Sequence, residues 1–122
     1  MTLPAAPPDQ YFSIVTETRD DLVVVRAAGE LDLVARPVLD AALAHIDAGG
    51  TRVVVDFAAV TFCSSTILGV LVAASLRDGR LTVVARHRAV RRPLELLGLE
   101  QHLTIVPDLD TALRGHDPAR LA

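Results

Sequence analysis

Hydrophobic and polar residues at the start of the chain follow a pattern that predicts two strands. Residues 11–16 mix aromatic and β-branched side chains, and residues 22–27 form a Val-rich run. Residues of these types favour the β conformation. Because the polar residues 18–21 separate the two runs, the pattern predicts a β-hairpin.

The next segment has the spacing of an amphipathic helix. Its apolar residues recur every three or four positions over residues 33–46. Asp32 precedes the segment, and a Gly-Gly pair at 49–50 follows it as a stop signal. Pro37 is expected in the first turn of this helix, where its missing N–H costs little.

A continuous run of valines predicts a strand that is covered on both faces. Residues 52–56 lack the alternation of a half-exposed strand, and such runs are typical of parallel strands in the interior of a sheet. Residues 57–61 are expected to link this strand to a helix from about Ser65 to Arg77. Because that helix is apolar nearly all round, we expect a neighbouring helix to cover part of it and a protein partner to cover the rest.

The second half of the chain continues the alternation of strands and helices. Strand-like runs occupy residues 80–86 and 102–107, and helix-like segments occupy residues 87–99 and 108–116, the last begun by an Asp cap. The predicted order is β-β-α-β-α-β-α-β-α. This order predicts an α/β domain whose sheet of about five strands starts as a hairpin and is otherwise mostly parallel, with about four packed helices.

Length and composition indicate one domain without a membrane span. We assign residues 1–10 to a flexible leader, 11–115 to the domain and 116–122 to a C-terminal tail. The Pro-rich start lacks the pattern of a signal peptide, and no apolar run reaches ~20 residues. A single Cys excludes an internal disulfide, so we expect a cytoplasmic protein. The net charge of −3 argues against direct nucleic-acid binding.

Polar groups follow three strands that are predicted to run parallel. The Gly-Glu-Leu-Asp segment 29–32 follows the second strand, residues 63–66 follow the third, and residues 86–88 follow the fourth. Since the carboxyl ends of parallel strands share one edge of a sheet, we expect these groups to meet where ligands and partners usually bind.

Three consecutive hydroxyl side chains, Ser64, Ser65 and Thr66, stand at the predicted start of a helix. One of them can serve as the N-cap, because its oxygen accepts a hydrogen bond from a free backbone N–H. Phosphorylation is the second interpretation, since a helix N-terminus tolerates negative charge. A phosphate would add almost two negative charges to a partner-facing surface. The pattern alone leaves both interpretations open.

The other candidate groups have a structural interpretation beside a functional one. Cys63 is either a nucleophile at a helix N-terminus or a small buried residue, and the sequence favours the second. Asp32 either caps the following helix or contacts a partner. A basic cluster is either a solvated helix face or a contact for an acidic partner surface. This cluster consists of Arg86, Arg88, Arg91 and Arg92. The four His residues lie far apart and no phosphate-binding loop is present, so no metal, cofactor or catalytic dyad is predicted.

Together these segments resemble a STAS domain, in particular the stand-alone bacterial anti-sigma factor antagonists. "GELD" before a helix, "RVVVDFAAVTF", the "LGVL" helix and "VRRPLELLGLEQHLTIV" stand in the family's order, over about residues 22–113. The resemblance implies a β-sheet core with helices packed on one side. It also implies a non-enzymatic protein that binds an anti-sigma factor and so frees a sigma factor, with Asp32 of "GELD" at the partner interface.

The resemblance further implies a phosphorylation switch. In the family, the first Ser of Phe-x-Asp-Ser-Ser/Thr-Gly-Leu-Gly is phosphorylated by the anti-sigma factor, which is a serine kinase, and a phosphatase resets it. Only the unphosphorylated form binds the anti-sigma factor. Aligned without gaps on the Phe at 62 and the Leu-Gly at 68–69, the motif places the acceptor at Ser65, with Ser64 and Thr66 as lesser candidates.

Two residues depart from the family's motif. Ser64 stands where the family has Asp, which removes a carboxylate beside the acceptor, and Ile67 stands where the family has Gly. We expect Ile67 to add bulk to the surface that the partner meets. A STAS scaffold or ligand-sensing module without phosphorylation is therefore the alternative function.

Overall fold

A computed structural model of the chain describes residues 11–19, 22–44, 52–78, 81–101 and 103–115. Within these residues, the elements are β1 (Phe12–Arg19), β2 (Leu22–Leu31), α1 (Arg36–Ala44), β3 (Arg52–Cys63), α2 (Ser65–Asp78), β4 (Leu81–Val84), α3 (Arg88–Leu96), β5 (Thr104–Val106) and α4 (Leu109–Gly115). Short 3-10 turns at Leu33–Ala35 and Leu99–Gln101 precede α1 and β5. The predicted order of elements is confirmed. The predicted leader, tail and Gly-Gly stop signal lie outside the described residues.

The strands form one sheet in the order β1-β2-β3-β4-β5. β1 and β2 pair antiparallel as the predicted hairpin, which is longer than expected because β1 runs to Arg19. The pairs β2–β3, β3–β4 and β4–β5 are parallel. A helix connects each parallel pair, as a crossover connection requires. Every strand therefore lies beside the strand that precedes it in sequence.

The main core lies between one face of the sheet and helices α1, α2 and α3. Phe57 of β3, Leu39 of α1, Leu71 of α2 and Leu94 of α3 are fully buried there. Burying each of these side chains contributes about 1.5–3 kcal/mol relative to leaving it exposed. Apolar contact therefore holds the three helices to this face of the sheet.

A second, smaller apolar cluster lies on the opposite face of the sheet, which we call the far face. Helix α4 packs there and buries Ala112 in one cluster with Val24 of β2 and Val54 of β3. The neighbours Val53 and Val55 belong to the main core. The valine run therefore has two covered faces, as its pattern predicted. The one-sided helix packing that the family resemblance implied is wrong for α4.

Strands β2 and β3 extend further than their patterns predicted. β3 continues through the predicted link at 57–61 as far as Cys63, and β2 continues to Leu31. Two register shifts give β3 one extra residue at positions 57–58 and another at Thr61. Because such bulges interrupt the regular side-chain pattern of β3, the sequence placed the end of that strand too early.

Candidate functional site

The ends of β2 and β3 fix the start of helix α2. Leu31 and Cys63 are partners in the parallel ladder, and the next N–H, that of Ser64, donates to the Leu31 carbonyl oxygen over 2.9 Å. The Ser64 carbonyl oxygen accepts from the N–H groups of Ile67 and Leu68 at 3.1 and 3.2 Å. Ser64 is therefore the N-cap residue of α2 through its backbone.

The three hydroxyl side chains at this helix start differ in accessibility. Ser65 is exposed, and Thr66 is half-buried. The Oγ atom of Ser64 is buried and has no hydrogen-bond partner among the described residues. The expected side-chain cap is thus not made by Ser64, although its backbone occupies the cap position. Ser65, the first residue of α2, offers the most accessible oxygen of the three.

Asp32 lies beside the helix start, directly after β2. Its Oδ1 atom accepts from the N–H of Val34 over 3.1 Å, and its carbonyl oxygen accepts from the N–H of Ala35 over 3.0 Å. Asp32 thus caps the 3-10 turn that leads into α1, which is one of the two interpretations that its sequence position left open, and Pro37 lies in the first turn of α1, as expected. The Asp32 side chain remains exposed, so it is also free to contact a partner.

Ile67 lies in the core and not at the surface. Its side chain is fully buried in the same cluster as Leu31 and Ala35. The expectation that Ile67 adds bulk to a partner-facing surface is wrong, because the third residue of α2 turns toward the sheet. Its four-carbon side chain adds apolar contact to the main core instead.

Cys63 is a buried core residue. The side chain is 5% exposed, and its Sγ lies 3.7 Å from the Ser64 carbonyl oxygen. Burial raises the pKa of the Cys63 thiol to about 12. Because the thiolate is the nucleophilic form, the thiol is inert at neutral pH. The structural interpretation of Cys63 is therefore confirmed.

The basic residues after β4 and the hydroxyl residues after β3 lie at different positions along the strand direction of the sheet. β4 ends opposite Asp56 of β3, whereas α2 begins after Cys63, seven residues further along the same strand. Arg86 and Arg88, which follow β4, are exposed. Of the three polar groups that were predicted to lie together, Asp32 and the start of α2 are neighbours. The basic residues lie apart from them.

A shallow apolar groove of about 370 Å³ runs along the outer side of α2. It begins at Ser65, continues over Gly69 and Ala73, and ends between Leu76 and Leu97, which are 72% and 62% exposed. α1 packs against another side of α2, so α2 is covered only in part, as expected. The groove was not predictable from the sequence, because Leu97 comes from the turn after α3 and no local pattern links that turn to α2.

The structure offers no metal site in its described part. No three His, Cys, Asp or Glu side chains among the described residues are placed to share an ion. Of the histidines, His87 is described, and it is exposed at the start of α3. None of the described helices combines the length and hydropathy that a membrane crossing requires.

Comparison with known proteins places the chain in a family. A model of the family described as "Mlab, STAS domain" matches residues 14–107. The chain is 32% identical over 108 residues to the anti-sigma-F factor antagonist RsfB of Mycobacterium tuberculosis. This alignment covers 85% of this chain and 88% of RsfB.

Solved structures agree with this match. The crystal structure of an anti-sigma factor antagonist from Mycobacterium paratuberculosis is 34% identical, with a TM-score of 0.79 over 89% of this chain and 96% of that one. The anti-sigma factor antagonist SpoIIAA in its unphosphorylated form shares the fold at 18% identity, with a TM-score of 0.60 over 86% of this chain and 99% of that one. The chain therefore belongs to the STAS domain family.

Proposed function

We propose that this chain is an anti-sigma factor antagonist controlled by phosphorylation of Ser65. In the proposed cycle, the unmodified chain binds a cognate anti-sigma factor in the cytoplasm, and a sigma factor is released. The anti-sigma factor is also a serine kinase that phosphorylates Ser65, and a serine phosphatase resets the chain. Two relatives that are at least 32% identical over most of this chain are described as anti-sigma factor antagonists, which supports the antagonist part of this proposal.

The position of Ser65 carries the proposal. Ser65 is the exposed first residue of α2, beside the exposed Asp32 and at one end of the apolar groove. The first N–H groups of a helix lack partners within the helix, and they carry partial positive charge. A phosphate on Ser65 is therefore compatible with the fold. The buried Oγ of Ser64 is a much poorer acceptor.

The same position explains how phosphorylation would end binding. Asp32 and the start of α2 form one polar surface, and the groove continues it with apolar side chains. A phosphate adds about 1.5–2 negative charges and a strongly hydrated group to this surface. Desolvating that group against a partner opposes association. Thr66 belongs to the proposed contact, and Arg86 and Arg88 form a second proposed contact at the level of β4.

The presence of glycine at position 69 supports the proposal that a partner binds in the groove. Glycine within a helix costs about 0.8–1 kcal/mol relative to alanine. Yet a Cβ at Gly69 would meet no other described element within 4 Å, so packing among the described residues does not require glycine. A partner whose backbone approaches α2 closely does require a small residue there.

Incubation with ATP and candidate anti-sigma factor kinases, followed by mass spectrometry, tests the switch. We expect phosphate on Ser65, none on Ser65→Ala, and unchanged labelling of Thr66→Val. Ser64→Asp restores the carboxylate that the family has beside the acceptor, and we expect it to be labelled at least as fast as the natural chain. Absence of phosphate on Ser65, while a control antagonist is labelled by its own kinase, would refute phosphorylation.

Calorimetric binding to the same kinases separates the proposed function from its alternative. An antagonist binds in the unmodified state and loses affinity as Ser65→Asp, whereas Ser65→Ala retains it. Binding that is equal for Ser65→Asp and Ser65→Ala would favour a scaffold or ligand-sensing module instead. Failure to bind any anti-sigma factor would reject the antagonist function itself.

A further inference from the structure

Three exposed side chains form a row across the ends of β1, β2 and β3. The N–H of Glu30 donates to the carbonyl oxygen of Tyr11 over 2.8 Å, and Glu30 is the ladder partner of Phe62. Tyr11 is 65% exposed and Phe62 is 47% exposed, and Glu30 is exposed between them. We call these three residues the aromatic–acid row.

The row belongs to the far face of the sheet. Each of its members stands next in sequence to a residue that packs on the main core, and successive side chains of a strand point to opposite faces. These core neighbours are Phe12, Leu31 and Cys63. The aromatic–acid row therefore faces away from α1, α2 and α3, although it lies at the same end of the sheet as Asp32.

Two of the few aromatic rings in the chain are exposed in this row. The chain has one Tyr, three Phe and no Trp. Phe57 is fully buried and Phe12 packs against the main core. A single exposed apolar side chain needs no explanation. Two rings on either side of one carboxylate have the composition of a protein–protein contact, where aromatic residues are enriched.

Within the described part of the chain, the carboxylate of Glu30 takes part in no ion pair and no side-chain hydrogen bond, so it has no counter-charge there. The nearest arginines in sequence have other partners, since Arg26 pairs with Glu17 at 3.4 Å and Arg36 pairs with Asp40 at 3.5 Å. Asp32 adds a second carboxylate two positions further along the chain. The row thus combines net negative charge with two aromatic faces.

We propose that the aromatic–acid row binds an arginine side chain of a protein partner. A guanidinium group is planar, pairs with a carboxylate through two N–H donors and stacks on aromatic rings. It therefore matches both features of the row at once. The ten residues before Tyr11 contain no Lys or Arg, so that segment supplies no such side chain. The proposal rests on the proposed function only in taking the anti-sigma factor as this partner.

Nuclear magnetic resonance with a small probe tests the row without any partner protein. The 15N-labelled full chain is titrated with N-acetyl-arginine methylamide and, separately, with the citrulline analogue, which has nearly the same shape and no charge. We expect saturable shifts of the amides of Tyr11, Glu30 and Phe62 with the arginine probe alone, at a Kd on the order of millimolar for one exposed contact. Shifts spread over the surface, or equal shifts with citrulline, would overturn the proposal.

Variants provide the matched comparison. Three variants keep an apolar or hydrogen-bonding side chain of similar size: Tyr11→Leu, Phe62→Leu and Glu30→Gln. Each is expected to lower the affinity for the arginine probe about fivefold. Glu100→Gln removes an exposed carboxylate from the turn at Leu99–Gln101 and is expected to bind the probe as the natural chain does. If all four variants bound the arginine probe with equal affinity, the aromatic–acid row would be excluded as its binding site.

Binding to an anti-sigma factor separates this proposal from the proposed function. We expect Glu30→Gln and Phe62→Leu to lose about five- to thirtyfold in affinity, and Glu100→Gln to lose none. If the natural chain and both row variants bind equally well, the row proposal fails and the antagonist function stands. If no anti-sigma factor binds but the arginine probe saturates the row, the antagonist function fails and the row proposal stands. Self-association in sedimentation equilibrium that Phe62→Leu abolishes would assign the row to a second copy and overturn an external partner.

Discussion

The N–H of Ser64 donates to the carbonyl oxygen of Leu31, and this bond ties the start of α2 to the end of β2. Asp32 follows Leu31, and Ser65 follows Ser64, so the bond also sets how far apart the two exposed polar side chains stand. The site geometry is therefore fixed by the backbone. Substitutions at 32 or 65 are expected to change the chemistry of this surface without moving it.

A negative charge at Ser65 is expected to stabilise the free chain. Ser65 occupies the first position of α2, where an acidic side chain interacts favourably with the helix dipole by about 0.3–1 kcal/mol at low salt. Ser65→Asp should therefore raise the free energy of unfolding in urea slightly, and Ser65→Lys should lower it. A less stable Ser65→Asp chain would mean that loss of partner binding in this variant reflects damage to the fold.

Gly69→Ala is expected to stabilise the chain and to weaken partner binding. Among the described residues, the new methyl group meets no atom within 4 Å apart from its chain neighbours and the backbone of its own helix, so the gain in helix propensity, about 0.8–1 kcal/mol, is retained. The same methyl group enters the groove beside α2. Urea unfolding and calorimetric binding should therefore move in opposite directions. Ala73→Gly is the reverse change on the same helix and should cost a similar amount of stability.

Gly29→Ala is expected to destabilise the chain by about 2–3 kcal/mol. Gly29 has a φ of +93°, and a Cβ there would overlap the Tyr11 carbonyl oxygen. The cost combines about 1–2 kcal/mol for a left-handed alanine with about 1 kcal/mol for the strained bond between Glu30 and Tyr11. Gly98→Ala is the control, because Gly98 also has a positive φ of +68°, but among the described residues its Cβ would meet only the Gln101 side chain, at 3.9 Å.

Hydrogen exchange of the Glu30 amide locates this effect. We expect exchange to accelerate strongly in Gly29→Ala and to stay unchanged in Gly98→Ala, which should lose only about 1–2 kcal/mol. Equal losses of stability in the two variants would show that the backbone angle alone is responsible and that contact with Tyr11 contributes nothing.

Alkaline pH is expected to weaken the fold through Cys63. Burial raises the pKa of this thiol from 9.0 to about 12, so the folded chain holds the proton over a range in which the unfolded chain has lost it. The stability associated with the protonated thiol is therefore fully present below pH 9 and is lost as pH rises toward 12, by at most about 1.4 kcal/mol per pH unit.

Unfolding measured from pH 8 to pH 11 tests this dependence. Cys63→Ala removes the titrating group, and the difference in stability between the two chains should shrink as pH rises above 9. Thiol labelling gives a second measure, since the folded chain should react slowly at pH 8 and quickly once it is unfolded in urea. Rapid labelling of the folded chain would contradict the buried position.

The sequence predicted the elements of the fold because each has a strong local signal. The valine run of β3, the apolar spacing of α1 and the apolar composition of α2 were sufficient to place them. The end of β3 was misplaced because two bulges interrupt the regular side-chain pattern of this strand. Ile67 was assigned to the surface by alignment with a motif, whereas its burial depends on the rotation of α2, which no alignment describes.

The candidate site was predictable only where the order of the strands brings its parts together. Asp32 and Ser65 follow neighbouring strands, so sheet topology was enough to bring them together. The groove needs Leu97 beside α2, and the aromatic–acid row needs the register of β1 against β2 and of β2 against β3. Such contacts between distant segments depend on tertiary packing, and a single sequence gives no local signal for them.

The strand order of the sheet also affects how the chain can be made. Because each strand pairs with its predecessor in sequence, a chain that emerges from the ribosome can add one strand at a time. None of the five described strands has to be inserted between two that are already paired. Sheets with pairings between distant segments commonly fold slowly because of such a step. Helix α4 comes after all five strands and covers the far face last, so the nascent sheet keeps that face open until synthesis has passed β5.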